Sequence, residues 1–363
     1  MFALTGSNLG GQPAISLLDD LCERLSDESA ITNASSQWPS KQLKLCAQHE
    51  VFRWFVPTQY NGIGSSAAEI ASGYIRLASA CMTTAFVISQ RSAACKRIVA
   101  SANEELKNKL LPKLAEGSLF TTVGLSHLTT SHRHVKKPVL EAVETPEGWI
   151  LNGFCPWVTG GAYSDYLVVG ASTGDQQILL AVNGKAKGVS VDPSFQLVAL
   201  SASHTGRINF EQVVVPGEYV LNGPAVAVLQ TSGAGSSTGG LDTSSLAIGL
   251  ATAAVEFVRE QSKIRSDLAT KADALENELQ ELSNHLISIV SGNDTISKEE
   301  LRKSANSFAL RTTQSALLAA KGAGFLADHA VGRWCREALF FLVWSCPPAV
   351  SDANLCELAG LET

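Results

Sequence analysis

The sequence is poor in charge: Lys, Arg, Asp and Glu make up 17% of its 363 residues. It has no cationic excess either, because 28 basic residues face 34 acidic ones and leave a net charge of −6. Nucleic-acid binders draw their affinity from cationic patches, so the balance argues against that class while leaving room for a local phosphate pocket. No two cysteines form a C-x-x-C pair. The eight present, at 22, 46, 81, 95, 155, 335, 346 and 356, sit singly among apolar residues, as buried thiols do in a reducing compartment. The start "MFALTGSNLGGQPA" has neither a basic region nor a long apolar stretch, so no signal peptide is expected. No run reaches about 18 uninterrupted apolar residues, so no membrane span is expected. Internal repeats and long heptad arrays are also missing. The expectation is a soluble cytoplasmic protein.

What is present is core material. Hydrophobic residues make up 45% of the chain, and its length suits two or three domains. Residues 13 to 118 carry helical patterning: "ISLLDDLCERLSDESA" puts Ile15, Leu18, Leu21, Cys22 and Leu25 on one face. Pro57, Gly62 and Gly64 interrupt it, two long buried helices follow, and "NEELKNKLLPKLAEG" adds one with Asn103 as N-cap and Gly117 as stop. From about 119 to 225 the period becomes two. Short β-branched runs broken by Gly, Pro, Asn and Asp predict an antiparallel sandwich or barrel. Helical patterning then returns, and Ser297 with Glu300 has capping-box spacing. The expected fold class is α+β, divided into an N-terminal helical domain (1–118), a β domain (119–227) and a C-terminal helical bundle (228–363).

Within the β domain, "ILNGFCPWVTGGAYSDYLVVGA" places Trp157 and Thr159 at a turn between two strands. Turns favour Gly, Asn, Asp and Pro, so an indole there needs something flat to cover or a core end to plug.

The order of the three parts, with five motifs in sequence, resembles the acyl-CoA dehydrogenase superfamily of flavoproteins along nearly the whole chain. "VPTQYNGIG" is similar to the family's Pro-x-x-Tyr-Gly-Gly-x-Gly turn, and "EELKNKLLPKLAEG" to its Leu-Pro-x-x-Ala-x-Gly helix. "WILNGFCPWVTGGAYSDYLVV" is similar to its Leu-Asn-Gly-x-Lys-x-Trp-Ile-Thr-Asn-Gly segment, and "INFEQVVVPGEYVL" to the strand closing the β domain. "AAKGAGFLADHAVGRWCREALFF" is similar to its Gly-Gly-x-Gly-Phe and Arg-Asp-Ala segment.

The resemblance implies FAD as cofactor, or FMN supplied reduced. It implies Trp157 beside the isoalloxazine and Thr159 with its hydroxyl on the ring. Ser126 in "GLSHLTTSHRH" matches a flavin-binding threonine, and Thr130 and Ser131 match a phosphate-contacting stretch. His127, His132 and His134 with Arg133, Lys136 and Lys137 leave three readings open: metal, anion contact or a solvated basic loop. No metal site is expected. Gly322 and Gly324 match the glycines that approach the adenosine part of FAD, commonly across a subunit interface. Two features of that region are absent: the glutamine before the glycines is Leu318, and the arginine segment reaching FAD across the dimer is replaced by "EQSKIRSDLATKADAL". "TGGLDTSSL" opens a helix either as an anion site or as a close-packed entry capped by Asp242 or Thr243.

The family's α-proton base is a glutamate. Its usual slot falls on Ser345, and the alternative slot on Ser244. A positioned base supplies roughly 10²–10⁴-fold, about 3–5 kcal/mol of barrier. His127 and Asp242 are the remaining candidates, with Ser345 a weak third. Three classes therefore stand: an oxidoreductase acting on the CH–CH group of an acyl-CoA thioester, a reduced-flavin monooxygenase, and a catalytically silent relative. The partners implied are an acyl-CoA or related small molecule, an electron-transfer flavoprotein or flavin reductase, and further copies of the chain as a dimer or tetramer.

Overall fold

The computed structural model describes residues 12–129, 138–231 and 240–361. Five helices come first: α1 (Gln12–Ser35), α2 (Ser40–Gln48), α3 (Ala67–Ala80), α4 (Met82–Ala100) and α5 (Glu104–Glu116). Their ends follow the sequence signals. The Ser66 hydroxyl accepts from the Glu69 amide while the Glu69 carboxylate accepts from the Ser66 amide, a full capping box at α3. Asn103 caps α5 through the Leu106 amide at 3.0 Å, and Gly117 ends it at φ 77°, the left-handed conformation glycine adopts without strain.

Next come β1 (Thr121–Gly124), the one-turn α6 (Ser126–Thr129), β2 (Leu140–Thr145), β3 (Gly148–Thr159), β4 (Tyr166–Thr173), β5 (Gln176–Asn183), β6 (Val189–Val191), β7 (Thr205–Pro216) and β8 (Val220–Ala225). The strands form one sheet in the order β6-β7-β3-β2-β4-β5-β8, with β1 on β4. Most pairings are antiparallel, as the alternation predicts. β1 and β2, however, each run parallel to β4. Neither reaches β4 through a hairpin: β1 enters directly from the α5 turn, and both α6 and β3 intervene elsewhere along the path. β4 and β5 show why the domain holds together. Leu167, Val169, Ile178 and Leu180 enter a core inside the curled sheet, whereas Val168, Leu179 and Ala181 join the core shared with the helices. Side chains alternate faces along a strand, so each strand serves two cores.

The chain then forms α7 (Val228–Thr231), α8 (Leu241–Ile264), α9 (Ala269–Val290), α10 (Lys298–Ala320), α11 (Ala330–Ala338), α12 (Phe340–Val343) and α13 (Pro348–Leu358). The apolar stretch "RWCREALFFLV" is divided between α11 and α12, and α13 begins at the Pro-Pro pair. Proline at the first helical position costs nothing, because that amide has no intrahelical acceptor. α8 lies at the centre, against α3, α9 and α10. By length and hydropathy it would cross a membrane, but 72% of its most apolar window is buried within the protein. Its apolarity is that of a core helix.

Candidate functional site

Trp157 and Thr159 do not lie at the expected turn, which falls at Gly161–Tyr163; they are among the last residues of β3, which pairs on to Thr159 because the β7 ladder continues there to Thr205. A register shift in the β3–β7 ladder falls between Cys155 and Val158. The bulge lets both of those side chains enter the inner core, and Trp157 consequently stands outside it. The indole is 45% exposed and touches Phe195, with ring centroids 4.7 Å apart. Thr159 is buried and its hydroxyl lies 2.8 Å from that of Thr205, which is 2.9 Å from that of Ser203. One hydroxyl offers one donor and two acceptor positions, so if Thr205 donates to Thr159 the Thr159 proton stays available. An open indole beside a buried hydroxyl chain suits a flat ring with polar edge atoms.

The remaining sequence candidates are dispersed. Ser126 opens α6, half-buried. Next to it, His127 is buried and donates from Nε2 to the Gly170 carbonyl at 2.7 Å, which fixes that nitrogen to β4. Thr130 and Ser131 lie outside the described residues, as do His132, Arg133, His134, Lys136 and Lys137. Among the described residues no group of three His, Cys, Asp or Glu side chains is arranged to hold a metal. Asp242, in the first turn of α8, accepts from Lys96 Nζ of α4 at 2.6 Å. Ser244 is buried one half-turn later. Ser345 sits between α12 and α13 at φ 44°, a left-handed conformation that strains a residue with a Cβ. The preceding carbonyl, of Trp344, accepts from Arg302 at 3.2 Å. Gly324 packs tightly, a Cβ there falling 2.7 Å from that of Ala320, whereas Gly322 faces open space.

Against known proteins, the family model described as acyl-CoA dehydrogenase, N-terminal domain, matches residues 19–118. The short-chain-specific acyl-CoA dehydrogenase of Clostridium acetobutylicum is 23% identical over 337 residues, covering 85% of this chain and 87% of that protein. The chain thus resembles the acyl-CoA dehydrogenase superfamily in its N-terminal domain by family model and along most of its length by sequence. Solved structures share the superfamily fold. Butyryl-CoA dehydrogenase from Megasphaera elsdenii superposes with a TM-score of 0.81 at 19% identity, covering 98% of this chain and 100% of that one. KijD3, solved in complex with FMN and a dTDP-linked amino sugar, gives 0.79 at 17% identity over 98% and 96%.

Two further features lie beside the C-terminal candidates, the first of them Glu337, the counterpart of the aspartate in the Arg-Asp-Ala segment that the sequence resembles. Glu337, two turns before Ser345, is buried, and its Oε1 has no hydrogen-bond partner; Arg333 Nε is 3.6 Å away. Burial pushes its carboxyl up to about 7, against the smaller opposing pull of Arg333 and Arg336. The second feature is the aromatic contact of Phe86 on α4 with Phe340 and Trp344, at 4.8 and 4.9 Å. The burial of Glu337 and the aromatic contact depend on tertiary packing, and no local spacing signals them.

Proposed function

We propose that the protein binds a flavin at the Trp157 edge of the β domain and works as an oxidoreductase that takes no proton from an acyl thioester with a glutamate. The exposed indole beside the Thr159–Thr205–Ser203 hydroxyls carries the first half. The serines at both base slots carry the second, together with the commitment of Asp242 to Lys96 and of His127 to Gly170. The bound flavin supplies two-electron chemistry. Trp157 would cover its ring and Thr159 would address its edge. FMN suits the residues better than FAD, because the adenosine-side features of the superfamily are absent: Leu318 replaces the glutamine and is 79% exposed. The likeness to a fold relative solved with FMN supports the same reading. The reaction class that fits is oxygen-using chemistry on a flavin reduced by a separate reductase.

Acyl-CoA dehydrogenation is the second reading, favoured by the acyl-CoA dehydrogenase relatives and by Asp242, whose partner Lys96 is about one-third exposed. Anaerobic addition of butyryl-CoA to flavin-loaded protein separates the two. The proposal expects an unchanged flavin spectrum with the thioester and oxygen uptake once a flavin reductase and NADH are added. Bleaching by the thioester would establish the second reading instead.

A further inference from the structure

A groove of about 480 Å³ runs between α2 and the α5–β1 turn, within the range of small-molecule sites. None of the flavin-site candidates lines it. Its walls are aromatic. The Trp38 indole stacks on Tyr163 with centroids 4.4 Å apart and planes 5° from parallel, and Phe120 meets Trp38 edge-on at 5.7 Å. Phe52 closes the floor. Such a surface favours a planar ring, which gains area and quadrupole contact at once.

The charge around it is unbalanced. Lys44 projects from α2 into the groove and has no acidic partner among the described residues. Behind Phe52 lies Arg91, wholly buried, its guanidinium 3.8 Å over the ring. Arg91 donates to the Leu114 carbonyl, its Nε makes no hydrogen bond, and no carboxylate pairs with it. A buried cation without a counter-charge is costly, and a nearby anion offsets part of that cost. The lining itself carries one acid, Glu116, and one base, Lys44, and the buried Arg91 behind Phe52 tips the surroundings positive.

We propose that this groove binds a planar aromatic anion, one or two rings bearing a single acidic group, with the ring beside the Trp38–Tyr163 stack and the acid at Lys44. The site is independent of the flavin reading. The test is calorimetric titration of the full chain, in excess FMN, with 1-naphthoate and its uncharged analogue 1-naphthamide. Naphthoate is expected to bind about tenfold tighter than the amide, and Lys44→Glu, an exposed change, to remove that preference. Trp38→Phe, which keeps a ring in place, is expected to weaken both probes. Equal affinity for the two probes, no binding of naphthoate at millimolar concentration, or unchanged binding in Lys44→Glu would overturn the proposal.

Discussion

Lys96 and Asp242 tie the N-terminal helices to the C-terminal bundle, with Nζ 2.6 Å from Oδ2. The pair occupies Asp242, two residues before the alternative base slot at Ser244. Both side chains are about one-third exposed, so the bridge itself is worth at most about 1 kcal/mol. Asp242→Asn is therefore expected to shift the melting temperature little and to leave flavin affinity unchanged. A loss of turnover in that variant, with binding intact, would mark Asp242 as the base.

Thr159 is a harsher site. Replacing it by Val removes the hydrogen bond to Thr205 while Ser203 still pairs with that hydroxyl, which costs about 0.5–1.5 kcal/mol. Thr159→Val should melt earlier and bind flavin more weakly, whereas Thr159→Ser should recover most of both. Thermal melts with and without FMN check this.

Glu337 makes stability depend on pH. Its folded value, about 7, lies above the ordinary 4.5. Between those values the folded state holds a proton that the unfolded state has released, so stability falls as pH rises through the window. The contribution is complete below pH 4.5 and lost above about 7, and amounts to about 3 kcal/mol at most. Melting curves from pH 5 to 8 should slope downward in the wild type and flatten in Glu337→Gln. Parallel slopes in the two proteins would remove Glu337 as the cause.

Phe325, Ile264 and Leu318 are the most exposed large apolar side chains among the described residues, at 86, 84 and 79%. They lie near the facing ends of α8 and α10, which Arg265 joins by donating to the Ala319 carbonyl at 2.9 Å. Exposed apolar side chains gathered near one another suit association with a further copy of the chain. Light scattering should find the wild type as a dimer or larger, and Phe325→Glu with Leu318→Glu as a monomer.

Much of the fold was readable because local signals agreed with it. Asn103, Gly117 and Ser297 each act at a helix end through the contact their residue type predicts. The parallel pairings of β1 and β2 with β4 were not readable, since strand direction is set by distant connections and leaves no mark on alternation. For the site, Trp157 stood out as an indole in a stretch read as a turn; the structure keeps it within β3 and leaves it open. Arg91 did not stand out, and Glu337 did so only as the counterpart of the aspartate in the Arg-Asp-Ala segment, without its burial. A charged residue in a helical pattern reads as solvated, and its burial comes from elements more than 20 residues away in sequence, such as Leu114 above Arg91.

The account rests on Trp157 covering a flavin, and an equilibrium titration with FMN tests this most directly, following flavin fluorescence in the wild type and in Trp157→Ala. The indole is 45% exposed, so its removal should leave the melting temperature nearly unchanged. Saturable binding that weakens by about tenfold or more in the variant is the predicted result. Equal affinity in the two proteins, or no binding by the wild type, would contradict it.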